Sequence, residues 1–107
     1  MFVAVLTERP GGVVRLSVTG ELDLASVPGF RRELRAAATR LDPAVGGGLV
    51  VDLTGATMVD SVGLGLLIGA ARRAKDAGAD FLLEGASGTV LDLLVRTGVA
   101  DLLRAQV

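Results

Sequence analysis

The side chains of this sequence that can do chemistry are hydroxyls and carboxylates. With no cysteine and no histidine in 107 residues, thiol nucleophiles, imidazole bases, disulfides and the usual zinc ligands are all absent. The informative stretch is Asp60-Ser61-Val62-Gly63-Leu64-Gly65-Leu66-Leu67-Ile68-Gly69. Asp60 is a good N-cap residue, and Ser61 follows it at the head of a helix expected from about Ser61 to Ala77. Unmodified, Ser61 is a first-turn polar group and nothing more. Phosphorylated, it gains about −1.5 to −2 charges, which the helix dipole favours by ~0.3–1 kcal/mol, so the fold should survive the modification. The effect belongs to binding instead. Desolvating a dianion beside Asp60, at an interface without compensating arginines, costs several kcal/mol, and every ~1.4 kcal/mol is tenfold in affinity.

Glycine at 63, 65 and 69 costs roughly 1 kcal/mol each relative to alanine in a helix, so a tertiary requirement must outweigh local propensity. Close approach of this helix to a sheet is one such requirement. Leu64, Leu67, Ile68, Ala71 and Ala74 recur at spacings of three and four and form the face expected to meet the sheet. Val62, Gly63, Gly65 and Leu66 are left pointing elsewhere, as a smooth apolar first turn that either docks another protein or packs on a neighbouring helix. Gly63-Leu64-Gly65 resembles part of a dinucleotide fingerprint, but the third glycine comes one position late and the glycines lie within the helix. No Walker A lysine is present. Asp23, Asp52 and Asp60 form a carboxylate set that could hold magnesium, yet no lysine lies near to steady transferred charge, and Asp52 reads equally as a strand end beside a turn. Neither a cofactor nor a metal is expected.

These residues need elements to position them. Phe2 to Leu6 is an apolar strand, and Val13 to Val18 alternates Val14, Leu16 and Val18 against Arg15 and Ser17; Pro10-Gly11-Gly12 joins the two as a hairpin. Phe30, Leu34, Ala37, Ala38 and Leu41 then fall at helical spacing, opposite Arg31, Arg32, Arg35 and Arg40, with Ser26 as cap and Pro28 in the first turn. Asp42-Pro43 ends that helix, and Gly46-Gly47-Gly48 connects to the run Leu49 to Leu53. Its lack of alternation predicts a strand covered on both faces. A turn over Thr54 to Val59 leads to the Ser61 helix, which stops at Gly78. A strand Phe81 to Glu84, a Ser87-capped helix through about Arg96, a stop at Gly98 and a short tail from Val99 to Val107 complete the chain. The order β-β-α-β-α-β-α predicts an α/β domain with a small mixed sheet of about four strands and helices packed against it.

Composition limits the partners. The length suits one domain, residues 1–107, and with 3% aromatic residues the core must be aliphatic. A net charge of −1 offers no basic field for nucleic acid. The apolar opening Met1 to Leu6 lacks a signal-peptide leader, and the uncharged stretch Val62 to Ala71 falls short of the ~20 residues of a membrane span. A cytoplasmic protein is expected.

In Thr19-Gly20-Glu21-Leu22-Asp23, Val51-Asp52-Leu53-Thr54, Val59-Asp60-Ser61-Val62-Gly63-Leu64-Gly65, Ala77-Gly78 before Phe81-Leu82-Leu83, and Thr97-Gly98-Val99, the chain resembles the STAS family, named for sulfate transporters and anti-sigma factor antagonists. In the antagonist branch the resemblance implies a non-enzymatic switch. The free form binds an anti-sigma factor serine kinase and releases a sigma factor, the kinase phosphorylates Ser61, and a phosphatase restores the free form. It implies a partner surface of Glu21, Asp23, Asp60, Ser61, Val62, Gly63, Leu64 and Leu66, with Asp23 in the loop after the second strand near Ser61. Without the resemblance, Gly20 to Asp23 reads as a strand-ending turn with a local aspartate hydrogen bond. Many members place a second serine or threonine after the phosphorylated residue; here Val62 stands there, and the nearest upstream hydroxyl is Thr57. The other reading of the same fold is a STAS subunit of a larger assembly, such as a lipid-transport complex or a stress-signalling particle. Self-association is left open by the sequence.

Overall fold

Two strands with opposed alternation open the chain and pair as the hairpin expected of them: β1 (Val3–Arg9) runs antiparallel to β2 (Val13–Leu22), with Val3 opposite Thr19 and Arg9 opposite Val13. The structure is a computed structural model that describes residues 1–42, 44, 46–102 and 105–106. After β2 a 3-10 turn (Leu24–Ser26) leads into α1 (Val27–Ala38), followed by β3 (Gly48–Val59), α2 (Ser61–Asp76), β4 (Asp80–Glu84), α3 (Gly88–Arg96), α4 (Val99–Leu102) and β5 (Ala105–Gln106). The sheet order is β1-β2-β3-β4-β5, and every pairing after the hairpin is parallel. The expected order β-β-α-β-α-β-α holds. The tail adds α4 and a two-residue fifth strand where about four strands were anticipated; Val107 at its end lies outside the described residues, as does Pro43.

One face of the sheet makes the core. Val14, Leu16 and Val18 of β2, Leu49, Val51 and Leu53 of β3, and Phe81 and Leu83 of β4 are buried in one cluster with Phe30, Leu34 and Ala37 of α1, Leu67, Ala70 and Ala74 of α2, and Val90 and Leu94 of α3. The expectation that β3 is covered on both faces is corrected: Leu49, Val51 and Leu53 are buried, whereas Val50 and Asp52 are only partly so. On that second face the sheet is tied by charge. An Arg15 guanidinium nitrogen lies 3.1 Å from Asp52 Oδ2 and 2.9 Å from Glu84 Oε2, linking β2, β3 and β4. Asp52 Oδ1 also accepts from the Thr54 amide at 2.9 Å and the Thr54 hydroxyl at 2.6 Å. Asp52 therefore stands inside a strand and does not end one.

The segment Thr54 to Val59, expected as a turn, is the second half of β3. Its threonines, glycine and alanine give no alternating pattern, and it is strand because β2 itself continues to Leu22 and supplies the backbone partners. The register slips once between Ser17 and Thr19 and again between Gly20 and Glu21, so β3 uses two more residues than β2 over this span. A one-residue slip turns every following side chain to the other face. Two slips restore it, and Leu22 and Val59 arrive opposite one another, both buried.

Helix ends match the expected glycine stops: Gly78 and Gly98 sit at φ +73° and +72°, a region open to glycine at little cost. The caps differ. Neither Ser26 nor Ser87 makes a side-chain cap bond to its helix; Ser26 is turned inward, 3% exposed, to bond the turn before it. Helix α1 ends at Ala38, short of the expected Asp42 stop, with the Thr39 hydroxyl donating to the Ala36 carbonyl at 2.8 Å.

The three glycines of α2 divide into two kinds. A Cβ on Gly63 would collide with the Leu22 carbonyl oxygen, whereas one on Gly65 or Gly69 would meet nothing within 4 Å. Only Gly63 permits close approach to the sheet. Ile68 and Ala71, assigned to the sheet face, are partly buried, and Ala70 takes the central place. Leu66, expected to point outward, is 8% exposed and flanks the groove between α1 and α2 with Leu34, the neighbouring-helix outcome.

Two stability predictions follow from this packing. Gly63→Ala should destabilise the domain by about 1–3 kcal/mol, because a backbone carbonyl cannot yield to the added methyl, while Gly65→Ala should stabilise it by about 1 kcal/mol through helix propensity alone; urea denaturation of the pair reads both signs. Burial pushes the Asp52 carboxyl up, but the Thr54 hydroxyl and amide and the Arg15 guanidinium outweigh it and hold it below the ordinary carboxylate value. A depressed carboxylate stabilises the fold above its unfolded-state value and loses that contribution as pH falls through the folded one. Asp52→Asn should thus cost about 1 kcal/mol at neutral pH and progressively less in acid, measured as the wild-type minus variant difference in urea midpoint across that range.

Candidate functional site

The site is built where two parallel strands end together. Leu22 and Val59 are register partners, so the residues that follow, Asp23 and Asp60, leave the sheet from neighbouring strands, which in parallel sheets lie about 4.8 Å apart. The Asp60 amide still donates to the Leu22 carbonyl at 3.3 Å, carrying the pairing one residue past the strand. Each aspartate then starts a helical segment at the same end of the sheet.

Asp60 is the N-cap of α2. Its Oδ1 accepts from the Gly63 amide at 2.9 Å, and its carbonyl accepts from the Leu64 amide at 2.8 Å. Ser61 is the first residue of the helix and is exposed. Among the described residues its hydroxyl makes no hydrogen bond, so it is free to meet a reagent. With Asp60 satisfying Gly63, a group added at Ser61 Oγ would sit over the positive end of a 16-residue helix.

Asp23 caps the neighbouring turn. Its Oδ1 accepts from the Ala25 amide at 3.0 Å and the Ser26 amide at 3.3 Å. The Asp23 amide donates to Ser26 Oγ at 2.8 Å, and that hydroxyl donates to the Glu21 carbonyl at 2.7 Å. This is the local hydrogen-bonded turn that residue types alone suggested. No hydrogen bond joins Asp23 to Ser61 among the described residues; the two share an end of the sheet. Glu21 is not in a loop but in β2, opposite Met58, and its carboxylate accepts from the Met1 ammonium at 3.1 and 3.2 Å.

Besides Met1, whose ammonium reaches Glu21, the apolar side chains exposed at this end are Leu24 at 73%, Val62 at 38% and Met58 at 37% exposure, with Met58 on the sheet face away from the helices because its neighbour Val59 is buried. Leu24 belongs to the turn after Asp23, Met58 is the partner of Glu21, and Val62 follows Ser61. Sequence reasoning named Val62 and missed Leu24 and Met58. The available signal was an apolar residue wedged between Asp23 and Ser26, outside any period that would bury it; Met58 had been absorbed into a supposed turn. Of the expected surface, Glu21, Asp23, Asp60, Ser61 and Val62 are accessible in whole or part, while Gly63, Leu64 and Leu66 are buried. Those last three shape the site from beneath because their helical phase turns them toward β2, the core and α1. No three of His, Cys, Asp or Glu gather as a metal-binding group among the described residues. Asp52 lies on the opposite sheet face, held by Arg15 and Thr54. Among the same residues, no helix is long and apolar enough to cross a membrane.

Comparison with known proteins agrees with this architecture. The chain is 29% identical over 90 residues to the anti-sigma-B factor antagonist of Bacillus subtilis (strain 168), covering 84% of this chain and 78% of that protein. Among solved structures, an anti-sigma factor antagonist from Mycobacterium paratuberculosis superimposes with a TM-score of 0.83 at 21% identity, covering 98% of this chain and 85% of that one. The antagonist SpoIIAA in its unphosphorylated form gives 0.76 at 22%, covering 98% and 89%, and the Bacillus SpoIIAA in its phosphorylated form gives 0.69 at 21%, covering 98% and 92%. At these identities the superpositions speak for the fold. A family model described as Mlab, STAS domain matches residues 5–104, nearly the whole of the sheet and helices that carry Asp60 and Ser61, and the chain therefore belongs to the STAS family.

Proposed function

We propose that this domain, spanning residues 1–107, is an anti-sigma factor antagonist that acts in the cytoplasm by binding and not by catalysis. Its unphosphorylated form binds an anti-sigma factor serine kinase and so frees a sigma factor; phosphorylation of Ser61 abolishes the binding, and a phosphatase reverses it. The observation that carries this reading is an exposed Ser61 hydroxyl, unbonded among the described residues, at the head of α2 beside Asp60, with exposed Val62 next to it and exposed Leu24 in the turn after Asp23. The names of the relatives support it, as does the pairing of unphosphorylated and phosphorylated SpoIIAA among the structural neighbours.

The physics of the switch is local. When Ser61 is free, the partner covers an apolar rim and one small hydroxyl, and little polar surface is stripped of water. A phosphoryl group adds up to two negative charges next to the Asp60 carboxylate. In solution the helix dipole and water accommodate it; beneath a partner, both charges would have to be desolvated together. The modified form thus remains folded and fails to dock. Asp23 and Glu21 complete the surface as carboxylates that a basic group on the kinase can address. With Val62 following Ser61, no second hydroxyl adjoins the acceptor.

The test is incubation with ATP and the candidate anti-sigma kinases of the same genome, with added phosphate located by mass spectrometry and binding followed by calorimetry. Phosphate should appear on wild type and not on Ser61→Ala, which should bind its kinase with undiminished affinity. Ser61→Asp should bind at least about tenfold more weakly with an unchanged circular dichroism spectrum. Equal binding by all three proteins, in a complex that persists in ATP, would refute the switch and favour a permanent subunit of a larger assembly.

A further inference from the structure

We propose that the groove between α1 and α2 is a second recognition element, which takes an acidic segment of the partner protein. The inference rests on the reading that this side of α2 faces a protein. The groove encloses about 200 Å³ and is walled by Arg31 and Arg35 of α1 and Arg73 of α2, with Gly65, Leu66 and Gly69 forming its α2 side. Among the described residues, none of the three arginines is in an ion pair and no carboxylate lines the groove. In a chain whose charges nearly balance, at net −1, a groove with three guanidinium groups and no ion pair among the described residues is a local concentration of positive charge. Complementarity of this kind selects partners and their register.

The groove is continuous with the proposed switch. Ser61, Gly65, Gly69 and Arg73 are spaced by four and lie along one ridge that winds slowly around α2, and all four are exposed. A partner over Ser61 therefore has an open path along the helix into the groove. Gly65 and Gly69 have no packing reason to be glycine, since a Cβ on either would meet nothing within 4 Å, yet each costs helix stability of about 1 kcal/mol. Their absent side chains leave room for another backbone. Gly65 to Arg73 spans about 12 Å of helix, and Arg31 and Arg35 are a turn apart, so the charges are spread along a line. That spread fits several carboxylates on one peptide segment better than a single compact anion, which needs donors converging on a point.

The experiment titrates ¹⁵N-labelled full-length protein with a short Glu/Ala-rich helical peptide, a Lys/Ala-rich peptide of equal length, inorganic phosphate and ATP. The acidic peptide should shift the Gly65 and Gly69 amides, less so as salt rises, and Arg31→Glu with Arg35→Glu and Arg73→Glu should weaken binding at least about tenfold. Gly69→Leu, which fills the groove without changing charge, should weaken it too and guards against a folding defect in the charge-reversed protein. The inference is overturned if the acidic peptide leaves these amides unmoved or the basic peptide moves them equally. It is likewise overturned if phosphate or ATP does so as strongly, the mark of a small-anion site, or if they move with protein concentration alone, the mark of a second copy. The titration uses neither a kinase nor a phosphorylated form, so failure here and failure of the phosphorylation switch are read separately.

Discussion

The contact on which this molecule turns is the close approach of the head of α2 to the end of β2. Gly63 lies against the Leu22 carbonyl with no room for a methyl group, and the same carbonyl receives the Asp60 amide. Together they fix where α2 begins and hold its first residue at the rim of the sheet. Interiors are packed too densely to tolerate even one displaced methylene cheaply, so the placement of Ser61 inherits the rigidity of the core below it. A serine on a free loop would offer a kinase the same hydroxyl, but it would not present a fixed apolar surround to a partner.

The rest of the architecture serves this contact. The two register slips in β3 carry Val59 back to the core face opposite Leu22, and with only one of them the strand would deliver Asp60 with its neighbours inverted. The Arg15, Asp52 and Glu84 ion pairs tie β2, β3 and β4 on the face away from the helices, holding in parallel the strands whose ends make the site. The capping turn at Asp23 and Ser26 directs the chain from β2 into α1, which brings Arg31 and Arg35 alongside α2. Charge, packing and backbone pairing thus converge on one end of the sheet and one helix face.

Asp23 and Asp60 serve the fold in the same way, and in the function proposed above they serve recognition too. Each carboxylate satisfies amides at the start of a helical segment, where such groups are otherwise without partners. Each also leaves negative charge at the rim beside Ser61.

Residue types and periodicity by themselves determined the succession of elements, the hairpin, the core strips of β2 and α1, the glycine stops at Gly78 and Gly98, and Asp60 as the cap before Ser61. These depend on interactions within a few residues, or on a period that survives any tertiary arrangement. Four things only the tertiary structure decided. Thr54 to Val59 is strand because β2 runs beside it, a partner more than thirty residues earlier in the chain. Gly63 is the close-approach glycine and Gly65 is not, a distinction set by the position of a single carbonyl oxygen. Leu66 is buried because α1 happens to pack there, and Leu24 is exposed because nothing does. Local sequence encodes which conformations a segment prefers; which of its faces is covered depends on neighbours that no window of the chain contains.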